Sequence, residues 1–302
     1  MSNKIVVFWF RRDLRLNDNH GLQEALEAGL PVLPVFIFDT EILKKLPAKN
    51  DARVNFIHSE ITRLKKETEA IGSSVKVFHS TPVDAMKELL AEFEVAAVYS
   101  NKDYEPDAIK RDEEIRKFLT EKEVEFRLFK DQVIFEENEV LKDNDEPYTV
   151  FTPYSKKWKQ VLKDNPVLHF DSGENLEGLM KTKPFRLPGL KDIGFEESAL
   201  EIPSREIPET IISNYDKTRD FPALEGTTRL GIHLRFGTIS IRELTKKAGA
   251  LSEVFLNELI WREFYMAILW HFPEVVNQSF KKKYDYINWR NSEKEFERWC
   301  NG

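Results

Sequence analysis

The chain has 302 residues, of which 41% are apolar and 32% charged, with a formal net charge of −7. That length and apolar share suit about two folded domains and exclude a disordered or low-complexity chain. No apolar run reaches the roughly 18 residues of a membrane span, and the single cysteine, Cys300, excludes an internal disulfide framework and a cysteine zinc cluster.

The N-terminal stretch MSNKIVVFWFRRDLR lacks the long apolar segment and small-residue cleavage site of a secretory leader, so a cytoplasmic protein without membrane association is expected. The charge is unevenly spread. From Arg229 onward there are 12 basic and 9 acidic residues, against 33 and 43 before it. This permits a mild basic face on the C-terminal part without establishing one.

The first 130 residues alternate strand and helix signals. Apolar runs at 4–10, 32–38, 75–79, 95–100 and 125–129 predict five strands. Between them lie helical patterns with recognisable ends. Asp18 or Asn19 opens one that stops at Gly29, and Asp51 opens another that stops at Gly72. Thr81, Pro82 and Asp84 supply a cap, a proline at the first helical position and an acidic third position. A charged helix runs from Glu105 to Thr120, with Ile109, Ile115, Phe118 and Leu119 along one stripe. Strands alternating with helices imply an α/β domain over 1–135: a doubly wound parallel sheet covered on both faces.

Seven prolines fall between 136 and 211, and apart from a short helix near 154–163 this stretch reads as an interdomain connection crossing the surface. From 212 to 302 every periodic segment is helical, around 213–218, 228–235, 240–248, 252–271 and 292–300. The second domain is therefore all-α.

Glycine-rich nucleotide loops, HExxH and GxSxG are absent, and the six histidines have no metal-ligand spacing, so no metal site is expected. The loop FRRDLRLNDN (10–19) is dense in charge. Strand ends of an open α/β sheet bind ligands, but Asp13 and Arg15 would equally brace the fold through ion pairs. Gly226, Thr227 and Thr228 place two hydroxyls and backbone N–H groups at a helix start, an arrangement that suits a phosphate as well as an ordinary cap. On the helix FLNELIWREFYMAILW, Glu258, Trp261 and Arg262 share one face by their spacing. Arg262 can pair with Glu258 there, and Trp261 can serve as core.

Taken together, RRDLRLNDN, YTVFTPYSKKW, NYDKTRDFPALEGTTRL and NELIWREFY occur in this order along the whole chain. The sequence resembles the DNA photolyase/cryptochrome family, most closely photolyases of class I that act on cyclobutane pyrimidine dimers. The resemblance implies an N-terminal α/β antenna-type domain (1–135), the connection (136–211) and the first part of a helical FAD-binding domain (212–302). The family continues beyond the point where this chain stops, so a truncated chain is expected, with weak FAD binding and no repair on its own.

The resemblance also implies roles. Tyr215, Thr227, Thr228, Arg229, Leu230 and Gly231 match positions that hold the FAD phosphates and ribityl chain, although a serine is frequent where Gly231 stands. Phe255 matches a flavin-side position. Glu258 matches the carboxylate that hydrogen-bonds a flipped-out dimer, and Trp261 the indole on which the dimer stacks. Arg219, Arg262 and Tyr265 match DNA-contacting positions. Trp299 matches the surface end of a tryptophan chain that photoreduces the flavin. Glu105 matches a carboxylate that contacts a folate antenna, with the identity of any antenna left open.

The implied activity is deoxyribodipyrimidine photolyase: excited reduced flavin donates an electron to the dimer, the ring splits and the electron returns. Damaged DNA is the expected partner of a full-length monomer. A cryptochrome-like flavin photoreceptor without repair is the alternative, and a stand-alone nucleotide-binding module would show no flavin at all.

Overall fold

Five apolar runs become five parallel strands in the computed structural model, which describes residues 4–302. They are β1 (Lys4–Phe10), β2 (Val32–Asp39), β3 (Lys76–Ser80), β4 (Glu94–Asn101) and β5 (Glu125–Phe129), hydrogen-bonded in the order β3-β2-β1-β4-β5. Alternate residues of β1 point to opposite faces, and both faces are dry. Val6, Phe8 and Phe10 pack on one side with Leu22, Ile61 and Leu64; Ile5, Val7 and Trp9 pack on the other with Met86, Leu89, Ile115 and Leu119. The helices supplying these partners are α1 (His20–Glu27), α3 (Ala52–Ala70), α4 (Pro82–Glu92) and α5 (Pro106–Thr120). A short α2 (Thr40–Leu43), which no periodicity announced, follows β2.

The capping residues do what their chemistry allows. The Asn19 side chain accepts from Leu22 N–H, Asp51 from Arg53 N–H and Thr81 from Asp84 N–H, so each satisfies an amide that the first helical turn leaves free.

The connection after β5 does not simply cross the surface. Its helix α6 (Phe151–Asp164) buries Tyr154 and Trp158. Further on, Leu179 bridges to Val32, while Ile193 and Phe195 enter the sheet's first core. His58 Nε2 donates to the Pro188 carbonyl at 2.9 Å, fastening the same stretch to α3. The remaining helices are α7 (Glu209–Ser213), α8 (Tyr215–Thr218), α9 (Gly231–Phe236), α10 (Ile241–Leu251), α11 (Glu253–His271) and α12 (Glu293–Asn301). A third core gathers Ile134, Phe135 and α6 with Leu244, Ala248, Leu256, Ile260 and Phe264.

Between the sheet and this third core lies a buried ion network. Arg15 donates to Asp131 at 2.7 and 2.9 Å, and Arg242 of α10 donates to Asp131 at 2.9 Å and to Asp18 at 2.9 Å. Ser240 also donates to Asp18. All five side chains are buried. Burial pushes Asp131 up, but Arg15 and Arg242 outweigh it and hold the carboxyl below its usual range. Asp13 lies beside this group and is pushed up to about 6, first by burial and then by Asp131. The charged loop after β1 is therefore consumed by folding, the bracing role that its sequence allowed.

Gly237 completes the junction. It ends α9 with φ +62°, and a Cβ there would overlap the Arg12 carbonyl. Phe236 O accepts from Leu14 N–H at 3.0 Å, and Gly237 O from Arg15 Nη1 at 3.1 Å.

Asp131→Asn leaves two buried guanidinium groups short of a counter-charge and is expected to cost about 3–5 kcal/mol in urea unfolding. Gly237→Ala is expected to cost at least about 1–3 kcal/mol by the same measurement, because it combines left-handed strain with a backbone overlap. The Asp13 carboxyl is raised above its unfolded value of about 3.9, so the folded chain holds the extra proton between those two values. Its contribution to stability grows as pH falls from 7.5 to 5, and Asp13→Asn should flatten that part of the urea-midpoint profile.

Candidate functional site

Helix α11 carries the densest set of expected site residues, and its local sequence explains its length. Ser252 accepts from Phe255 N–H at 3.3 Å at the start, and Pro273 begins a 3-10 turn just past the end. One face buries Leu256, Leu259, Ile260, Glu263 and Phe264, while Glu258, Trp261 and Tyr265 remain at least partly accessible.

Around Glu258 the structure brings four expected residues together. Arg219 Nη1 donates to Glu258 Oε1 at 2.5 Å, with both side chains more than a third exposed. The same guanidinium lies 5.7 Å from the Tyr215 ring centre, and Tyr215 meets Phe255 edge-on at 5.1 Å and 83°. Burial, then the nearby Glu258, raises the Tyr215 hydroxyl pKa above its ordinary value. A half-exposed ion pair contributes no more than about 1 kcal/mol, so Glu258 can exchange Arg219 for another donor at little cost.

One turn on, Trp261 lies flat against Phe151 at 3.6 Å and 6°. Tyr265 continues the stack at 5.5 Å and 24°. One face of the indole is thus covered by a ring from α6, and Tyr265 of its own helix lies alongside it, making a rigid aromatic surface.

Arg262 departs from the expected shared face. It donates to Gln132 O at 2.7 Å and Leu234 O at 3.3 Å, and makes no pair with Glu258. Burial in the junction lowers its guanidinium pKa. A contact with DNA would require it to leave both carbonyls. Helical spacing placed it beside Glu258, but two unsatisfied carbonyls of neighbouring elements are better partners than a screened surface carboxylate.

The start of α9 also differs from the sequence reading. The helix begins at Gly231, so Thr227, Thr228 and Arg229 form the turn before it rather than its first residues, and Arg229 adopts φ +52°. Thr227 and Arg229 are exposed and Thr228 is half-buried, whereas Leu230 is buried. Gly226 allows the turn to press on α8, since a Cβ there would come within 2.6 Å of Thr218 O. Arg229 makes only a 3.7 Å contact with Glu225.

Glu105 stands at the N-cap of α5 and bridges Arg12 and Arg235, each at 2.5 Å. Burial opposes its charge, but the two guanidinium groups hold its carboxyl at about 2. Trp299 lies on α12, 78% exposed and stacked on Phe296 at 5.8 Å. Among the described residues, no cluster of three or more His, Cys, Asp or Glu side chains is arranged to hold a metal, and no helix is long and apolar enough to cross a membrane.

Three residues escaped the sequence reading. Glu263 is wholly enclosed, Trp158 donates to it at 2.5 Å, and Phe151 covers Trp261. Glu263 had a signal: it falls on the Leu256–Ile260 stripe, where a charge is out of place.

The DNA photolyase family model matches residues 6–171, and the model for the FAD binding domain of DNA photolyase matches residues 255–302. A deoxyribodipyrimidine photo-lyase from Synechococcus sp. is 30% identical over 97% of this chain and 66% of its own length. That from Alkalihalophilus pseudofirmus is 30% identical over 100% of this chain and 67% of its own. The archaeal photolyase from Sulfolobus tokodaii, solved with two FAD molecules, superposes with a TM-score of 0.76 at 30% identity, covering 97% of this chain and 66% of that one. The chain spans about two thirds of the length of these relatives. A family model covering more than half of the residues, together with relatives aligned along almost the whole chain, shows that this protein belongs to the DNA photolyase family.

Proposed function

We propose that this chain carries the lesion-recognition wall and part of the FAD site of a class I photolyase acting on cyclobutane pyrimidine dimers. The observation that carries this reading is the flat Phe151–Trp261–Tyr265 stack one turn from a half-exposed Glu258. A dimer turned out of a duplex leaves a stack that it already distorts, and an aromatic face returns about 1–3 kcal/mol per base. Glu258 then hydrogen-bonds the pyrimidine edge, and Arg219, released from Glu258, faces the DNA backbone together with Tyr265.

The residues present fit an FAD dinucleotide. Thr227, Thr228 and Arg229 form an exposed turn with hydroxyls and a guanidinium open to a phosphate, Leu230 and Gly231 lead into α9, and Tyr215 with Phe255 forms an aromatic corner beside α11. FAD, when bound, supplies the light-driven electron for dimer splitting. The chain's own residues orient the lesion and shield it from water. Residues 1–135 form the antenna-type domain, 136–211 the connection and 212–302 the helical part. Glu105 is the residue toward any antenna molecule, in the family a folate in some members, and Trp299 is a surface electron donor. We infer a cytoplasmic protein with damaged DNA as its partner.

The test is binding of a single-stranded oligonucleotide bearing one thymine dimer, compared with its undamaged counterpart, alongside the absorption spectrum of the purified chain. With FAD supplied in excess, flavin bands that stay with the chain and a preference for the damaged strand are expected. Trp261→Ala should lower that preference by roughly 5- to 150-fold, the equivalent of losing one stacked base. Flavin bands with equal affinity for both strands would replace repair by a flavin photoreceptor, and no flavin at all would remove both readings.

A further inference from the structure

Glu263 occupies a core position of α11 and is 3% exposed. Its carboxylate receives three N–H groups: Ile134 N at 2.6 Å, Phe135 N at 3.1 Å and Trp158 Nε1 at 2.5 Å. None comes from its own helix. Two belong to the segment after β5 and one to α6. Phe151, the ring beneath Trp261, lies on α6 two turns before Trp158, and residues seven apart share a helix face. Helix α6 meets α11 at several points: the exposed Lys159–Glu253 ion pair and a long Ser155–Asn257 hydrogen bond at the start of α11, and, where the stack lies, Trp158 on Glu263 and Phe151 on Trp261.

We propose that Glu263 is a positioning residue for the Trp261 platform: by locking α6 and residues 134–135 onto α11, it sets the tilt of the Phe151–Trp261 stack. Its use in recognising a lesion rests on the reading of Trp261 given above; the positioning itself does not.

The chemistry requires an anion. Both carboxylate oxygens accept only from N–H donors, so a proton on either would set an O–H against an N–H. Burial pushes the Glu263 carboxyl up to about 7, against Trp158, the Ile134 and Phe135 amides and Arg262, which favour the charged form. The ionisable groups facing it are Arg262 on its own helix, Tyr154 on α6, and Tyr104 and Glu137, which line a small cavity beside it. Burial first, and then the carboxylates nearby, push Tyr104 and Tyr154 upward, so both keep their protons through the neutral range.

Two consequences run in opposite directions. A folded-state value raised above the unfolded one, about 4.3, means that this group's contribution to stability rises as pH falls through 7. The three hydrogen bonds that fix the stack are lost over the same range. A carboxylate that did not set the stack would lose the same bonds without moving Trp261.

The test uses the whole 302-residue chain labelled with 5-fluorotryptophan, the Trp261 fluorine resonance being assigned with Trp261→Phe. In the parent chain that resonance should titrate between pH 6 and 8. In Glu263→Gln it should be displaced and independent of pH, with affinity for the dimer-bearing oligonucleotide about tenfold weaker. Trp158→Phe removes one donor to the anion and should move the midpoint upward, and it decides the matter if Glu263→Gln does not fold. A Trp261 resonance that ignores pH in the parent chain, that is unmoved in folded Glu263→Gln, or whose midpoint is unchanged in Trp158→Phe overturns the proposal. Titration as expected, in a parent chain that does not prefer the dimer, keeps the positioning role and removes the lesion reading.

Discussion

The arrangement of this protein depends on the buried meeting of Arg15, Asp131, Arg242 and Asp18. Two guanidinium groups and two carboxylates in a dry junction are tolerable only when each charge is paired. The pairs are supplied here by residues far apart in the chain: the loop after β1, the segment after β5 and the start of α10; Arg15 Nε is the one buried donor of the four left without a hydrogen-bond partner. The network therefore acts as a registration device. Any shift of the helical part relative to the sheet would leave a buried charge without its partner, which costs more than a loose apolar contact. Gly237, fitted against the Arg12 carbonyl, adds a steric constraint at the same place.

From that registered junction α11 extends with two unlike faces. Its inner face joins the third core, and its outer face presents Glu258 and Trp261 beside Arg219 and Phe151. Arg262 belongs to neither role in the way that its spacing suggested, because it is tied to carbonyls of two other segments. The result is a site whose outer contacts are weak and exchangeable while its supports are strong. The Arg219–Glu258 pair is screened by water; the Glu263 bonds beneath it are not. Such a division suits a surface that must accept a partner without losing its own shape.

Much of the fold was legible locally. The five strands stand where the apolar runs placed them, and Asn19, Asp51 and Thr81 cap the helices that they were expected to open. Less was legible where backbone geometry depends on remote contacts. Thr227 and Thr228 look like a helix start, yet Arg229 takes a left-handed conformation and delays the helix to Gly231. The proline-rich connection looks like a surface crossing, yet Leu179, Ile193 and Phe195 are buried in it. Short apolar fragments among prolines have no period to reveal which way they face.

The sequence by itself determined the five strands, the longer helices, the parallel α/β class and the family, because periodicity, caps and ordered motifs are local properties of the chain. Only the tertiary structure decided which partner each charged side chain takes. Arg262 had Glu258 within helical reach and chose distant carbonyls; Glu258 took Arg219; and Glu263, whose place on an apolar stripe named no partner, gathered three donors from two other elements. Hydrogen-bond partners are selected by burial and by competition among groups that only folding brings together, and no spacing along the chain encodes that competition.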